Sequence, residues 1–195
     1  MNHVSLPKHH IAEKLGLPIL GNGIYGAMID GCGFGTAVSG MQSHTLAKTL
    51  FDGYKKHGKE LSETNKYFTL IGSYLQQNYG PYHFAKSSTL VAHLNGEYNT
   101  LLAKHDVVIM PTLTKTPCKI PRKDASITEK ITTALNMIGN TSIFNVTGHP
   151  ALTLNCGYDN DLPVGLMIVG KHFDEVGVLN VASIFEDVFR KRMSK

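Results

Sequence analysis

The 195-residue sequence contains no tryptophan, only three cysteines and no long run of apolar residues. Cys32, Cys118 and Cys156 lie far apart and form no Cys-x-x-Cys pair, which argues against a disulfide framework and favours a reducing compartment. The first residues lack the apolar stretch of a signal peptide, and the aliphatic run 107–110 is too short to cross a bilayer. We therefore expect a cytoplasmic protein with no membrane segment.

Charged and aromatic residues are also scarce. They make up 17% and 8% of the chain, and 19 Lys+Arg against 15 Asp+Glu give a net charge of +4. Because the basic residues are scattered except for 190–192, the sequence lacks the basic stripe that binds nucleic acid. Hydrophobic residues reach 42%, too many for a disordered chain, and the length is sufficient to bury a core.

Helical periodicity dominates the first half of the chain. The glycine-rich segment 16–40 is the exception, because glycine favours turns and close backbone approach over regular helix. Apolar spacing predicts helices over residues 41–57, 62–78, 82–104 and 126–138. Asp174 is placed to cap a final helix. The apolar residues expected to face inward from that helix are Val178, Leu179, Ala182, Ile184, Phe185 and Val188.

Strand patterns appear after residue 105. The apolar run 106–112 has the character of a strand buried on both faces. The runs 151–156 and 164–169 are joined by a turn-rich connector, which predicts a hairpin. Helices followed by strands with helices between them indicate an α/β layered fold, and no linker divides residues 1–195 into two domains.

Several apparent motifs are incomplete. Residues 21–26 fit G-x-G-x-x-G, but a dinucleotide site needs a helix beginning inside the motif, and the glycines that follow argue against one. The ten histidines show no metal-ligand spacing, so we expect no metal. Ser87 and Ser88 beside Lys86 lie in a predicted helix without the glycines that expose a nucleophile. The residues alone therefore offer no complete catalytic set.

The most informative segment runs from residue 140 to residue 186. It contains Asn-x-x-Gly-x-Pro-Ala at 145–151, Leu-Pro-Val-Gly-Leu-x-Ile-x-Gly at 162–170 and Phe-x-Glu at 173–175. Physically, a Gly-His-Pro loop enters a buried strand, a turn reverses the chain, and a capped helix closes the unit. By itself this pattern is also compatible with a plain sheet edge.

These patterns resemble the carboxyl-terminal part of the amidase signature family, hydrolases that cleave carboxylic amides with two serines and a lysine. The resemblance is strongest over 106–190, where 106–112 also matches the family's Asp-x-x-x-x-Pro-Thr strand. Residues 23–31 and 61–64 look like the branch that acts on aliphatic and aromatic amides. The resemblance implies the carboxyl-terminal part of an α/β/α fold with a mixed sheet.

The resemblance also implies a division of labour. No residue matches the Gly/Ser-rich segment that carries the family's nucleophile, bridging serine and upstream lysine, so we assign no catalytic residue and expect the isolated chain to be inactive. The expected contribution is one wall of the cleft for a small amide, with no cofactor. The candidate residues are Asn140, Thr147, Gly148, His149 and Pro150, with Tyr25 and Asp30 as further candidates. For His149 itself we expect a hydrogen bond to backbone, not catalysis.

Two interpretations stay open. The chain is either a portion of an amidase-type hydrolase, paired with the missing amino-terminal half or with a second copy of itself, or a non-catalytic fragment that acts as a binding or assembly module. A sheet without its partner strands has open edges, which are expected sites of association. A nucleotide-binding module is a more distant third alternative.

Overall fold

The computed structural model describes residues 2–32 and 43–193. The chain divides into two compact units. The first comprises Met1–Glu13, Leu90–Arg122 and Leu135–Lys195, and the second comprises Lys14–Thr89 and Lys123–Ala134.

Seven α-helices and three strands form the regular structure of the described residues. The helices are α1 Ala12–Asn22, α2 His44–His57, α3 Glu63–Tyr79, α4 Tyr82–Leu102, α5 Ile127–Leu135, α6 Ser142–Thr147 and α7 Glu175–Met193. The strands are β1 Val108–Pro111, β2 Ala151–Asp159 and β3 Leu162–Val169. Short 3-10 turns lie at His9–Ile11 and Gly58–Glu60, and a π-helix spans Gly23–Asp30. None of the helices in 2–32 and 43–193 is both long and apolar enough to cross a membrane.

Side-chain caps define where three of the predicted helices begin. Ser43 accepts a hydrogen bond from the Leu46 amide, Ser62 accepts one from the Asn65 amide, and Asp174 accepts one from the Gly177 amide. Each bond satisfies an amide that the first helical turn leaves without a backbone partner. The helices predicted near these positions are confirmed, and the cap expected at Asp174 is present.

The prediction that the glycine-rich segment avoids helix is wrong for the residues that the structure describes. α1 continues directly into the π-helix, so residues 12–30 are helical despite four glycines. Tertiary packing provides the reason: Gly21 lies against Gly72 of α3, within the second unit. Because neither glycine carries a side chain, the two backbones approach closely, and this contact outweighs the low helix propensity of glycine. Residues 33–42 lie outside the described part.

A three-stranded sheet organises the first unit, in the order β1-β3-β2 with both pairs antiparallel. The predicted hairpin is confirmed as β2 and β3. Asn160 and Asp161 connect these strands with φ values of 48° and 64°, which are typical of a type I′ turn. Helix α7 packs on this sheet, and the α/β class is confirmed. All strand pairs among the described residues are antiparallel, so the mixed character of the sheet is not seen within them.

Burial corrects two details of the prediction. β1 is not buried on both faces, because Val108 is buried whereas Ile109 is 37% exposed. α7 contacts the sheet through one stripe only: Val178 and Ala182 pack against Ile168 of β3. Three of the residues expected to face inward are more than half exposed, namely Leu179, Ile184 and Val188. A three-stranded sheet covers only one side of a helix, which explains why the predicted apolar face was too wide.

Candidate functional site

The loop between α6 and β2 contains most of the predicted site residues. Gly148 ends α6 in the left-handed conformation, with φ of +77°, and its amide donates to the Phe144 carbonyl across 2.9 Å. Glycine adopts this conformation without steric cost, which is why the helix can end so abruptly here. The Pro150 carbonyl accepts a hydrogen bond from the Gly170 amide at 3.0 Å. The loop is therefore tied to the chain that follows β3.

His149 is buried, with 4% of its surface exposed, and both ring nitrogens have partners. Nδ1 lies 3.0 Å from Thr147 Oγ1, and Nε2 lies 3.2 Å from Asn99 Oδ1. The Asn99 amide group donates to Asn95 Oδ1, which leaves the Asn99 oxygen as an acceptor. His149 is accordingly assigned as the tautomer that donates from Nε2 and accepts at Nδ1. The expectation of a backbone hydrogen bond is wrong, since both partners are side chains.

His172, from the loop between β3 and α7, stacks on His149. The ring centroids are 4.0 Å apart and the ring planes differ by 28°. His172 Nε2 donates to Asn95 Oδ1 across 3.0 Å. We call His149, His172, Asn95 and Asn99 the histidine clasp. Burial, followed by the proximity of His172, lowers the pKa of His149 to about 4, so His149 is neutral at pH 7.

A small cavity of about 260 Å³ adjoins His149. Its lining is Thr141, Phe144, Asn145, His149, Ala151, Thr153 and Met167. The lining combines hydroxyl and carboxamide groups, which can donate and accept hydrogen bonds, with the His149 imidazole and three apolar side chains. Such a combination suits a small neutral polar ligand.

Asn140 lies just before α6 and has a separate set of partners. Its Oδ1 accepts from His9 Nε2 at 3.1 Å, and its Nδ2 donates to the Pro111 carbonyl at 2.7 Å. His9 Nδ1 in turn accepts from the Tyr98 hydroxyl at 2.6 Å. Burial raises the pKa of Tyr98 to about 12, so this hydroxyl keeps its proton. Asn140 thus links the start of the chain to the end of β1.

Tyr25 and Asp30 belong to the second unit, on the π-helix. Tyr25 is half-buried against Gly72, whereas Asp30 is exposed. The glycines at 21–26 lie within continuous helix that begins at Ala12, with no strand before them. The strand-to-helix turn of a dinucleotide-binding site is therefore not present in these residues. The expectation that the segment contains no helix is wrong, but its helix begins before the motif and not inside it.

The remaining side chains considered for chemistry are engaged or buried. Ser88 Oγ donates to the Phe84 carbonyl within α4, and Ser87 is buried. Within the described residues, no three His, Cys, Asp or Glu side chains come together as a metal site. Sequence reasoning missed His172, Asn95 and Asn99. The i, i+4 spacing of the two asparagines on either side of buried Tyr98 is the signal that could have identified them.

Comparison with known proteins shows the family. A model described as Amidase matches residues 37–179. An uncharacterized protein in the nthA 5′ region of Rhodococcus erythropolis is 39% identical over 159 residues, which are 82% of this chain and 80% of that protein. The enantioselective amidase of Rhodococcus rhodochrous is 38% identical over 181 residues, which are 92% of this chain and 35% of that enzyme.

Among solved structures, a bacterial aryl acylamidase of the amidase signature enzymes aligns with a TM-score of 0.52 and 18% identity. The alignment covers 69% of this chain and 28% of that chain, and it supports the fold alone. The chain thus spans about a third of the length of the named amidase that it matches. From the family match and these relatives, the chain belongs to the amidase family.

Proposed function

We propose that this chain is a portion of an amidase-type hydrolase that converts a carboxylic amide to the acid and ammonia. The observation that carries the proposal is the family match over 37–179. The 38% identity to an enantioselective amidase supports an amide as substrate. We propose that the enzyme is cytoplasmic. We also propose that it needs no metal or cofactor, because a serine nucleophile and a proton carrier are sufficient for acyl transfer.

The proposed contribution of the chain is one wall of the amide cleft. Thr147, Gly148, His149 and Pro150 hold the loop beside the 260 Å³ cavity, and Asn140 ties β1 to the segment before α6. A primary amide has one acceptor oxygen and two donor hydrogens, which the hydroxyl and carboxamide groups of Thr141, Asn145 and Thr153 can match. Tyr25 and Asp30 are proposed as further contributors.

We propose that the catalytic serines and lysine are supplied from outside residues 1–195. No part of the sequence matches the family's serine and lysine motifs, so the nucleophile would come from an amino-terminal half in the same or another polypeptide, or be absent. In the last case the chain would serve as a binding or assembly module. We propose that residues 1–195 form one partial amidase domain, completed by that half or by a second copy of the chain.

Amide binding by the purified chain tests the proposed wall. Benzamide and isobutyramide, titrated against the labelled protein, should shift the NMR signals of His149 and Asn145. Asn145→Ala should weaken binding about fivefold, the effect of losing one hydrogen bond. Asn180→Ala is the matched control, because Asn180 is also an exposed helical asparagine and does not line the cavity. Equal affinities of the two variants would contradict the proposed position of the wall.

Ammonia release tests the division of labour. The 195-residue chain alone should release no ammonia from either amide. Co-expression with the part of the Rhodococcus rhodochrous amidase that this chain does not match should restore hydrolysis. Hydrolysis by the chain alone would overturn the proposal that it lacks the catalytic groups. Binding without restored hydrolysis would favour the binding or assembly module.

A further inference from the structure

The histidine clasp joins three separate segments of the first unit. Asn95 and Asn99 lie one turn apart on α4, His149 precedes β2, and His172 follows β3. Asn95 Oδ1 accepts from both the Asn99 amide group and His172 Nε2, and the Asn95 amide group donates to the Thr147 carbonyl at 3.4 Å. Two loops that lie 20 residues apart along the chain are therefore fastened to one helix through two imidazoles.

Every hydrogen bond of the clasp is matched when both imidazoles are neutral. His149 Nδ1 accepts from Thr147, and each Nε2 donates to an asparagine oxygen. A proton on His149 Nδ1 would turn this acceptor into a donor and force the Thr147 hydroxyl to rotate. If both rings were protonated, two cations would face each other at a centroid distance of 4.0 Å. The neutral state satisfies these contacts without rotation of the Thr147 hydroxyl and without facing cations.

Among the described residues, neither hydrogen-bond partner of His149 is a carboxylate that could compensate a charge on its ring. α6 has the sequence SIFNVT and β2 begins ALTLN, so neither presents an ionisable group there. From α4 the ionisable group in contact is Tyr98, with its ring centroid 5.7 Å from that of His149. His9 lies beyond, hydrogen-bonded to Tyr98.

The loop that carries His172 contributes the remaining charges. Lys171 is exposed, and Asp174 is occupied at the start of α7 by the Gly177 amide. Among the described residues, neither Lys171 nor Asp174 forms a hydrogen bond or ion pair with an imidazole of the clasp. Protonation of the stacked rings would therefore have to be relieved by separation.

We propose that the histidine clasp is a proton-operated latch, which holds the loops at 148–150 and 171–174 on α4 near neutral pH and releases them in acid. Release of the two loops begins with separation of the stacked His149 and His172 rings. It frees the start of α7 and the loop that leads into β2, while the β1–β3 pairing stays intact. The latch is a property of these side chains and does not depend on amide hydrolysis.

Hydrogen exchange of individual amides, corrected for intrinsic rates, tests the latch on the full chain. The Gly170 amide, bonded to the Pro150 carbonyl, reports on the latch, and the Thr112 amide, bonded to the Gly165 carbonyl, reports on the sheet. Between about pH 7 and about pH 4.5, protection of Gly170 should fall at least tenfold more than that of Thr112, the change that one pKa unit produces. Equal loss at both amides would mean global unfolding and would overturn the proposal.

Substitution of His172 separates charge from packing. His172→Phe keeps an aromatic ring on His149 but cannot be protonated, so the acid-induced loss at Gly170 should become smaller, and the part that remains reflects the burial of His149. His172→Gln is the second variant if the first does not fold. His93→Gln is the control, because His93 is an exposed histidine of α4 outside the clasp, and it should behave as the unchanged protein. An undiminished loss in both His172 variants would refute the latch.

Discussion

Gly21 of α1 and Gly72 of α3 meet backbone to backbone. A β-carbon built on Gly72 would overlap the Gly21 carbonyl oxygen and would lie 2.6 Å from the β-carbon of Tyr25. The contact therefore requires glycine at position 72 for space, since both residues have ordinary helical backbone. In such close packing, even one added methyl group must displace its neighbours.

Gly72→Ala should consequently destabilise the second unit. The methyl group must push α3 away from α1, and overpacking of this kind costs roughly 1–3 kcal/mol of the free energy of unfolding. Gly53→Ala is the matched control, because nothing lies within 4 Å of a β-carbon added at Gly53 in α2. It should stabilise the protein by about 0.5–1 kcal/mol. Urea unfolding curves of the two variants should shift in opposite directions, and similar shifts would contradict the contact.

Tyr98→Phe should weaken the attachment of the first residues to α4. The ring is 1% exposed and would stay packed, but His9 Nδ1 would lose its donor. Loss of this hydrogen bond should cost about 1 kcal/mol. Tyr158→Phe, at a tyrosine 61% exposed, should change the free energy of unfolding by less than about 0.5 kcal/mol. Chemical denaturation measures the free energy of unfolding of both variants. If Tyr98→Phe left this free energy unchanged, the hydrogen bond between Tyr98 and His9 would contribute nothing to stability.

The buried His149 makes stability depend on pH in a definite direction. In the unfolded chain a histidine takes up its proton near pH 6.5, whereas the pKa of His149 is lowered to about 4 in the fold. The unfolded state therefore binds the proton first, and the contribution of His149 to stability is present above about pH 6.5 and is lost as the pH falls towards 4. Denaturation midpoints measured across this window should fall more steeply for the unchanged protein than for His149→Phe. Equal slopes would contradict the lowered pKa.

The hairpin turn should be improved by glycine at its second position. Asp161 has a φ of 64°, a conformation that costs a residue with a β-carbon about 1–2 kcal/mol. Asp161→Gly removes this cost and creates Asn-Gly, the preferred pair for a type I′ turn. Asp159→Gly, in β2, should instead destabilise by roughly 0.5–1 kcal/mol because glycine gains freedom in the unfolded chain. Thermal unfolding should rank the first variant above the unchanged protein and the second below it.

Local sequence patterns were sufficient to predict much of the secondary structure of the first unit. The hairpin could be predicted because apolar runs flank a polar connector, and the cap at Asp174 because its side chain precedes an apolar helical repeat. The helix predicted at 82–104 appears as α4. Each of these signals depends on neighbours along the chain, which is the information that a sequence presents directly.

The features that were missed depend on contacts between distant residues. Gly21 of α1 relies on Gly72, more than 50 positions away, and the exposed face of α7 depends on how few strands lie beneath it. His149 could be selected from its Gly-His-Pro loop, but its stacking partner His172 could not, because no spacing rule connects a loop before one strand to a loop after the next.

The bulge in β2 has a consequence for this strand, which lies at one edge of the three-stranded sheet formed by the described residues. Cross-strand pairing passes from Asn155 with Gly165 to Gly157 with Val164, so Cys156 is skipped in the register of paired residues. The edge is thereby divided into a stretch of five residues, 151–155, and one of three, 157–159. A cross-β stack needs about six residues in uninterrupted register. The outer side of β2 therefore lacks the six residues in uninterrupted register on which a fibril could be templated.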